Sequence, residues 1–217
     1  MKIGVTSDLH GFLPPIEPCE VLCICGDIIP LQIQRSLSES KIWFKENFSE
    51  WCESIPVSEV VLIGGNHDFY LASTVMKSNS EIFNSDKIKK LENSYVVIMD
   101  ENGNQKTFYG TPDCKLFGNW AYMYSSEMLQ KMYDNILENV DVLLSHDAPK
   151  IHDLGKIMEG QHSGYDAGNP WLADAILNKN LKYAFCGHIH SGEHSLVLLP
   201  NGTYAANVSF VNEHYKP

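Results

Sequence analysis

Five short segments of this chain hold residue types that bind cations and move protons. They are Asp8-Leu9-His10, Gly26-Asp27, Gly64-Gly65-Asn66-His67-Asp68, Ser145-His146-Asp147 and Gly187-His188-Ile189-His190. Five of the nine histidines fall within them. A lone histidine beside a core segment is usually a hydrogen-bonded structural residue, and packing gives no reason to gather five of them with Asp and Asn. Asp8 and His10 stand two apart, so on an extended backbone they point the same way and can reach one metal ion. His188 and His190 repeat that spacing. Asp27, Asn66 and His146 add further oxygen and nitrogen donors, and the inventory suits two divalent cations. Mixed imidazole, carboxylate and amide donors fit manganese first, with iron, zinc, nickel or cobalt as alternatives, and not a calcium or magnesium cage. Two carboxylates against two dications leave net positive charge, which attracts phosphate or hydroxide. Ions about 3.5–4 Å apart can hold a bridging hydroxide as nucleophile and clamp the phosphoryl oxygens of an in-line displacement.

Something must bring these segments together, and each follows a short apolar run. Lys2–Ser7, Val21–Cys25, Val60–Ile63, Asp141–Leu144 and Lys182–Cys186 read as buried strands that hand over to loops. In α/β sheets, ligands bind beyond the carboxyl ends of the strands. Between the strands, Ile33, Leu37, Phe44, Phe48 and Trp51 recur at near-helical spacing and predict a helix over Gln32–Cys52. Ser126–Glu138 and Pro170–Leu177 read as further helices, the second with proline in its first turn. Glu81–Leu91 reads as a helix too, with Lys87–Lys90 on its solvated face. Asn102-Gly103 and Asn201-Gly202 each sit between apolar runs, the strongest short hairpin signal. The pattern predicts α/β with mixed sheets. There is no repeat and no convincing linker, so residues 1–217 are expected to form one domain, with Lys150–Asn169 as a site loop.

Composition narrows the function classes. The chain is 44% hydrophobic and 20% charged, ordinary for a folded globular protein. Its 16 basic and 27 acidic side chains give a net charge of −11, which disfavours a long nucleic acid as partner. No apolar run approaches the ~18 residues of a membrane span. Too little apolar sequence precedes Asp8 for a signal peptide, so a cytoplasmic location is expected. The six cysteines form no CxxC pair and read as small buried hydrophobes in a reducing compartment.

In their order, D-x-H, GD, GNHD, H and GHxH, the five segments resemble the calcineurin-like metallophosphoesterases, and every ligand position of that pattern is filled over residues 8–190. The resemblance implies two β-sheets, both mixed, sandwiched between helices. It implies one metal held by Asp8, His10, Asp27 and His190, and a second held by Asp27, Asn66, His146 and His188, with Asp27 as the bridge. His67 would bind the phosphate and protonate the leaving oxygen, and Asp68 would orient His67. Tyr109-Gly110-Thr111-Pro112 with Phe117–Tyr122, the Gly187–Gly192 stretch, and Asn207-Val208-Ser209 before Tyr215-Lys216-Pro217 resemble the short metallophosphoesterase-domain-containing subgroup, some of whose members are described as cyclic-nucleotide phosphodiesterases.

The expected function is therefore hydrolysis of a small phosphodiester, a cyclic nucleotide being one candidate, by a dinuclear metal phosphoesterase. A phosphomonoesterase or protein phosphatase would use the same site. A nuclease would want a basic groove, and a scaffold protein would lack ligands or His67; neither mark is present. Tyr109, Trp120 and Tyr122 are candidate aromatic walls for a base or aryl group. His152, His162, His194 and His214 are expected to be structural or solvent-facing.

Overall fold

The computed structural model describes residues 1–217. In chain order its elements are β1 (Ile3–Thr6), β2 (Cys19–Cys25), α1 (Leu37–Trp43), a π-helical turn (Phe44–Phe48), α2 (Ser49–Ser54), β3 (Val57–Ile63), α3 (Phe69–Ala72), α4 (Asn79–Ile82), β4 (Ile88–Lys90), β5 (Ser94–Met99), β6 (Gln105–Thr111), β7 (Cys114–Lys115), β8 (Met123–Tyr124), α5 (Ser126–Asp134), β9 (Asn139–Ser145), α6 (Pro170–Asn178), β10 (Asn180–Cys186), β11 (Val197–Leu198) and β12 (Tyr204–Asn207).

Two sheets carry the architecture. The first runs β1-β2-β3-β4 and is parallel throughout. The second runs β11-β12-β10-β9-β6-β5, with parallel pairs at its centre and antiparallel pairs at both ends. Only the second sheet is mixed, which departs from the expected pair of mixed sheets. Period-two alternation in the strands sorts their side chains into three layers. Val21, Cys23 and Cys25 of β2 face Phe108, Val142, Leu144 and Phe185 between the sheets. Leu22 and Ile24 face outward onto Phe44, Phe48 and Trp51. On the far side, Leu143 and Ala184 pack beneath Leu129 and Tyr133 of α5 and Leu172 and Ile176 of α6. The result is helix, sheet, sheet, helix. All six cysteines are free, and five of them are buried.

Two helix expectations change. The helix expected over Gln32–Cys52 begins at Leu37 and widens into a π turn, where the Ser49 hydroxyl donates to the Phe44 carbonyl at 2.7 Å. Residues 31–35 form turns. The helix expected over Glu81–Leu91 is instead a single capped turn followed by strand β4. Ile88 is wanted against the first core, and the β3 edge takes up the backbone of Lys87–Lys90. Lys89 pairs with Glu59 across that edge, and Lys90 pairs with Glu92 just past the end of β4.

Candidate metal centre

The five motif segments lie beyond the carboxyl ends of β1, β2, β3, β9 and β10, so strands from both sheets deliver them to one place. The backbone there is bent, not extended. Asp8 (φ 53°), His10 (φ 44°), Asp27 (φ 52°) and His188 (φ 70°) all occupy the left-handed region, which costs a side-chain-bearing residue of order 1–3 kcal/mol. Cross-strand bonds hold the conformation. The Asp8 N–H donates to the Gly26 carbonyl and the His10 N–H to the Asp27 carbonyl, both at 2.9 Å. The turn, and not strand pleating, aims Asp8 and His10 together. The motif glycines make room for the ligands: a methyl group on Gly65 would overlap the Asp27 carboxylate, and one on Gly187 would overlap that of Asp8.

Asp27 stands at the middle. Its Oδ2 faces His10 Nε2 at 3.8 Å and His67 Nε2 at 3.7 Å, while its Oδ1 faces His146 Nε2 at 3.5 Å. Asp8 Oδ1 lies 3.3 Å from His190 Nε2, and His146 Nε2 lies 2.9 Å from Asn66 Oδ1. The His188 ring sits 5.0 Å from that of His146. His188 thus lies beside His146, and His190 beside Asp8. Donor atoms of Asp8, His10 and His190 gather within 4.8 Å of one another, as do those of His10, Asp27 and His67, and of Asp8, Asp27 and His146.

Backbone carbonyls set the ring orientations. His146 Nδ1 is bonded to the Cys25 carbonyl at 2.8 Å and His190 Nδ1 to the Asn212 carbonyl at 3.0 Å, which turns each Nε2 toward a carboxylate. Burial alone would raise Asp8 and Asp27. The bond from His190 and the charges of His190 and His146 outweigh it at Asp8, and His146 and His67 do so at Asp27, so both carboxyls sit well below their usual range. Burial pulls His10 down to about 4 and His188 to about 3, leaving neutral imidazoles with free lone pairs.

This donor set fits divalent cations. Both ring nitrogens of His10 are buried without a hydrogen-bond partner, and a metal ion would satisfy one of them. Two ionised carboxylates, the neutral imidazoles of His10 and His188 and an amide oxygen make the donor chemistry of a transition-metal pair. Against burial, the carboxylates hold His146 and His190 up to about 10 and about 9, protons that an ion would displace.

Asp68 lies apart from the role expected of it. Its carboxylate accepts N–H bonds from Ile28, Ile29 and Gly65, and His67 Nδ1 is bonded instead to Gln34 Oε1. A cleft of about 650 Å³ opens over Asp27, Asn66, His67, His188 and His190. Of the three expected aromatic walls only Trp120 lines it. Tyr109 packs under α5, and Tyr122 is buried with its ring against Gly64. Phe117, Tyr165 and Tyr215 are the walls that sequence reasoning missed. Tyr215 stands 4.9 Å from the His10 ring and 5.1 Å from that of His190. Its place in a short polar stretch carries no local signal of such proximity. His162 lines the cleft rim and is exposed, while His194 lies between the carbonyls of His190 and Asn207.

A sequence profile described as calcineurin-like phosphoesterase matches residues 1–192. Metallophosphoesterase domain-containing protein 1 of Homo sapiens is 25% identical over 232 residues, covering 97% of this chain and 66% of that protein. A UPF0046 protein of Caenorhabditis elegans is 25% identical over 213 residues, covering 88% of this chain and 50% of that one. The chain therefore spans between half and about two thirds of the length of these relatives. Among solved structures, the phosphopantetheinyl hydrolase of Mycobacterium tuberculosis matches with a TM-score of 0.57 at 15% identity, over 99% of this chain and 90% of that one. At that identity the likeness is one of fold.

Proposed function

The chain belongs to the calcineurin-like phosphoesterase family, and from that premise we propose that it is a metal-dependent hydrolase of small phosphodiesters, cyclic nucleotides first among them. The observation that carries this reading is the division of Asp27, with one carboxylate oxygen toward His10 and the other toward His146. Asp8, His10, Asp27 and His190 would hold one ion, and Asp27, Asn66, His146 and His188 the other. Manganese is the first choice for both. When bound, the two ions supply a hydroxide nucleophile at neutral pH and offset charge on the phosphoryl oxygens.

The chain's own residues do the rest. His67 stands on the open side of Asp27, 7% exposed and lining the cleft, where its Nε2 can pass a proton to the leaving oxygen. Phe117, Trp120, Tyr165 and Tyr215 offer faces on which a planar base or aryl group can stack. Lys115 also lines the cleft, but its ammonium is bonded to the carbonyls of Ala167 and Gly168. It offers no phosphate-tracking charge, which with the net charge of −11 favours a compact substrate over a polymer. We take residues 1–217 as one metallophosphoesterase domain, and the six free thiols as fitting a cytoplasmic setting.

The test is kcat/KM with saturating manganese across phosphomonoesters, bis-aryl phosphodiesters, cyclic nucleotides and long DNA or RNA. A small diester is expected to lead. A monoester leading every diester by tenfold would overturn the substrate class, and comparable cleavage of polymers would favour a nuclease.

A further inference from the structure

We propose that Gln34 is the positioning residue of His67, and that Asp68 holds the loop that delivers it. This rests on His67 as the proton donor of the phosphoesterase reading. The imidazole is held at two places. At its edge, Nδ1 is bonded to Gln34 Oε1, and the opposite nitrogen, Nε2, then points toward Asp27 Oδ2 at 3.7 Å. On its face, the Trp120 ring lies 4.6 Å away. Behind Trp120 sits Arg35, the single arginine of the chain, with its guanidinium carbon 4.6 Å from the Trp120 ring and 4.1 Å from that of Phe69. Two adjacent residues of one loop therefore fix the ring, Gln34 directly and Arg35 through Trp120.

Asp68 explains why that loop is where it is. It accepts the Ile28 and Ile29 N–H groups at the start of the loop, and the Gly65 N–H at 2.8 Å beside the His67 turn. Further along, the Ile33 N–H donates to the Pro30 carbonyl, and the Ser36 N–H and Ser40 hydroxyl donate to the Ile33 carbonyl. One buried carboxylate thus ties the loop carrying Gln34 to the loop carrying His67. The choice of an amide has a reason. Gln34 accepts the Nδ1 proton without adding a third negative charge beside Asp8 and Asp27. In the chemical step a hydroxide oxygen bonds to phosphorus as the bond from phosphorus to the leaving oxygen breaks, and the leaving oxygen keeps the electron pair of the broken bond. It takes the Nε2 proton, and the imidazolium becomes neutral imidazole with its Nδ1–H still on Gln34. Water restores the proton for the next turnover.

The experiment compares the metal-loaded parent with Gln34→Leu and Gln34→Glu on two diesters, one releasing a nitrophenolate and one an alkoxide. Gln34→Leu is expected to lower kcat ~10–100-fold on the alkyl ester, the usual size for losing an orienting partner. On the nitrophenyl ester, whose leaving group needs no proton, the change is expected to stay under ~3-fold, with KM and metal content unaltered. Gln34→Glu, which keeps an acceptor at the same reach, is expected to restore most of the alkyl-ester rate. Independently of turnover, the His67 Nδ1–H resonance of the zinc-loaded protein should be protected from exchange in the parent and lost in Gln34→Leu. Equal losses on both esters, altered metal content, or an unchanged alkyl-ester rate would overturn the positioning role. If the parent cleaves neither ester, the phosphoesterase reading fails, and the resonance alone decides for or against the Gln34 bond.

Discussion

Replacing Asp68 by alanine removes the acceptor of three buried backbone donors at once. Asp68 Oδ1 takes the Ile28 N–H at 3.1 Å and the Ile29 N–H at 3.0 Å, and Oδ2 takes the Gly65 N–H at 2.8 Å. Asp68, Ile28 and Ile29 are at most 1% exposed, so water cannot replace the lost partner. An unsatisfied buried donor costs about 1–3 kcal/mol, which for three would reach about 3–9 kcal/mol if the losses simply added. Two effects reduce that sum. Neighbouring donors share one relaxation and do not add fully. Burial, reinforced by the charge on Asp27, also pushes the Asp68 carboxyl up to about 7, so the parent already bears some cost of enclosing it. A loss of about 3–4 kcal/mol is expected. At ~2–4 °C per kcal/mol for a chain of this size, the melting temperature should fall by about 10 °C. Asp68→Asn keeps one oxygen for Ile28 and Ile29 but turns an amide N–H against Gly65, so it should lose about half as much. Thermal melts in chelator, with urea titrations as a second measure, check both. A melting temperature for Asp68→Ala within ~2 °C of the parent, or below it by less than Asp68→Asn, would refute the tie between the two loops.

Asp27→Asn should lower metal occupancy at both positions, because the shared carboxylate faces both groups of ligands, whereas Asn66→Ala should chiefly affect one. Metal analysis that finds two tightly held ions in Asp27→Asn would remove the bridge. Asp113 tests the buried electrostatics away from the centre. Burial raises its carboxyl to about 6 from an ordinary 3.8, against bonds from Asn93 and Thr111. A folded-state value above the unfolded one means a contribution that is full below pH 3.8 and lost as the pH rises through about 6. Asp113→Asn should therefore be more stable than the parent at pH 7, by up to about 3 kcal/mol, with the advantage shrinking toward pH 4. Urea unfolding at pH 4, 5, 6 and 7 measures it, and a constant difference across that range would contradict the sign.

The strands and the ligand segments were legible because both are local. Apolar runs such as Val21–Cys25 and Val60–Ile63 end abruptly in Gly, Asp, Asn or His, and the structure puts β2 and β3 there. What sequence could not carry was spatial proximity between distant segments. Gln34 reads as one polar residue in an amphipathic stretch, and only the seating of its loop by Asp68 brings it to His67. Tyr109 and Tyr122 belong to the stretches that resemble the subgroup, yet their strand and turn positions aim them into the interior. Lys87–Lys90 carries no local signal of its own, because its charges suit a helix face and a strand edge equally well. The β3 edge decided it.

The candidate metal ligands come from both sheets, which bears on how the molecule is made. Asp8 accepts the His188 N–H across 180 positions and the Ser209 hydroxyl across 201. As the chain leaves the ribosome, β1, β2 and β3 can pair long before His146, His188 and His190 exist. The first sheet then carries Asp8 and Asp27 with no imidazole from the second sheet to answer them. Such long-range pairing forms late. An ion captured at the end would join Asp8, His10 and Asp27 to His190, and Asp27 and Asn66 to His146 and His188. Each ion would act as a rivet between two layers that otherwise meet through the apolar core and a few hydrogen bonds such as that of His146 Nδ1 to the Cys25 carbonyl, so metal capture and the final locking of the sandwich would be one event.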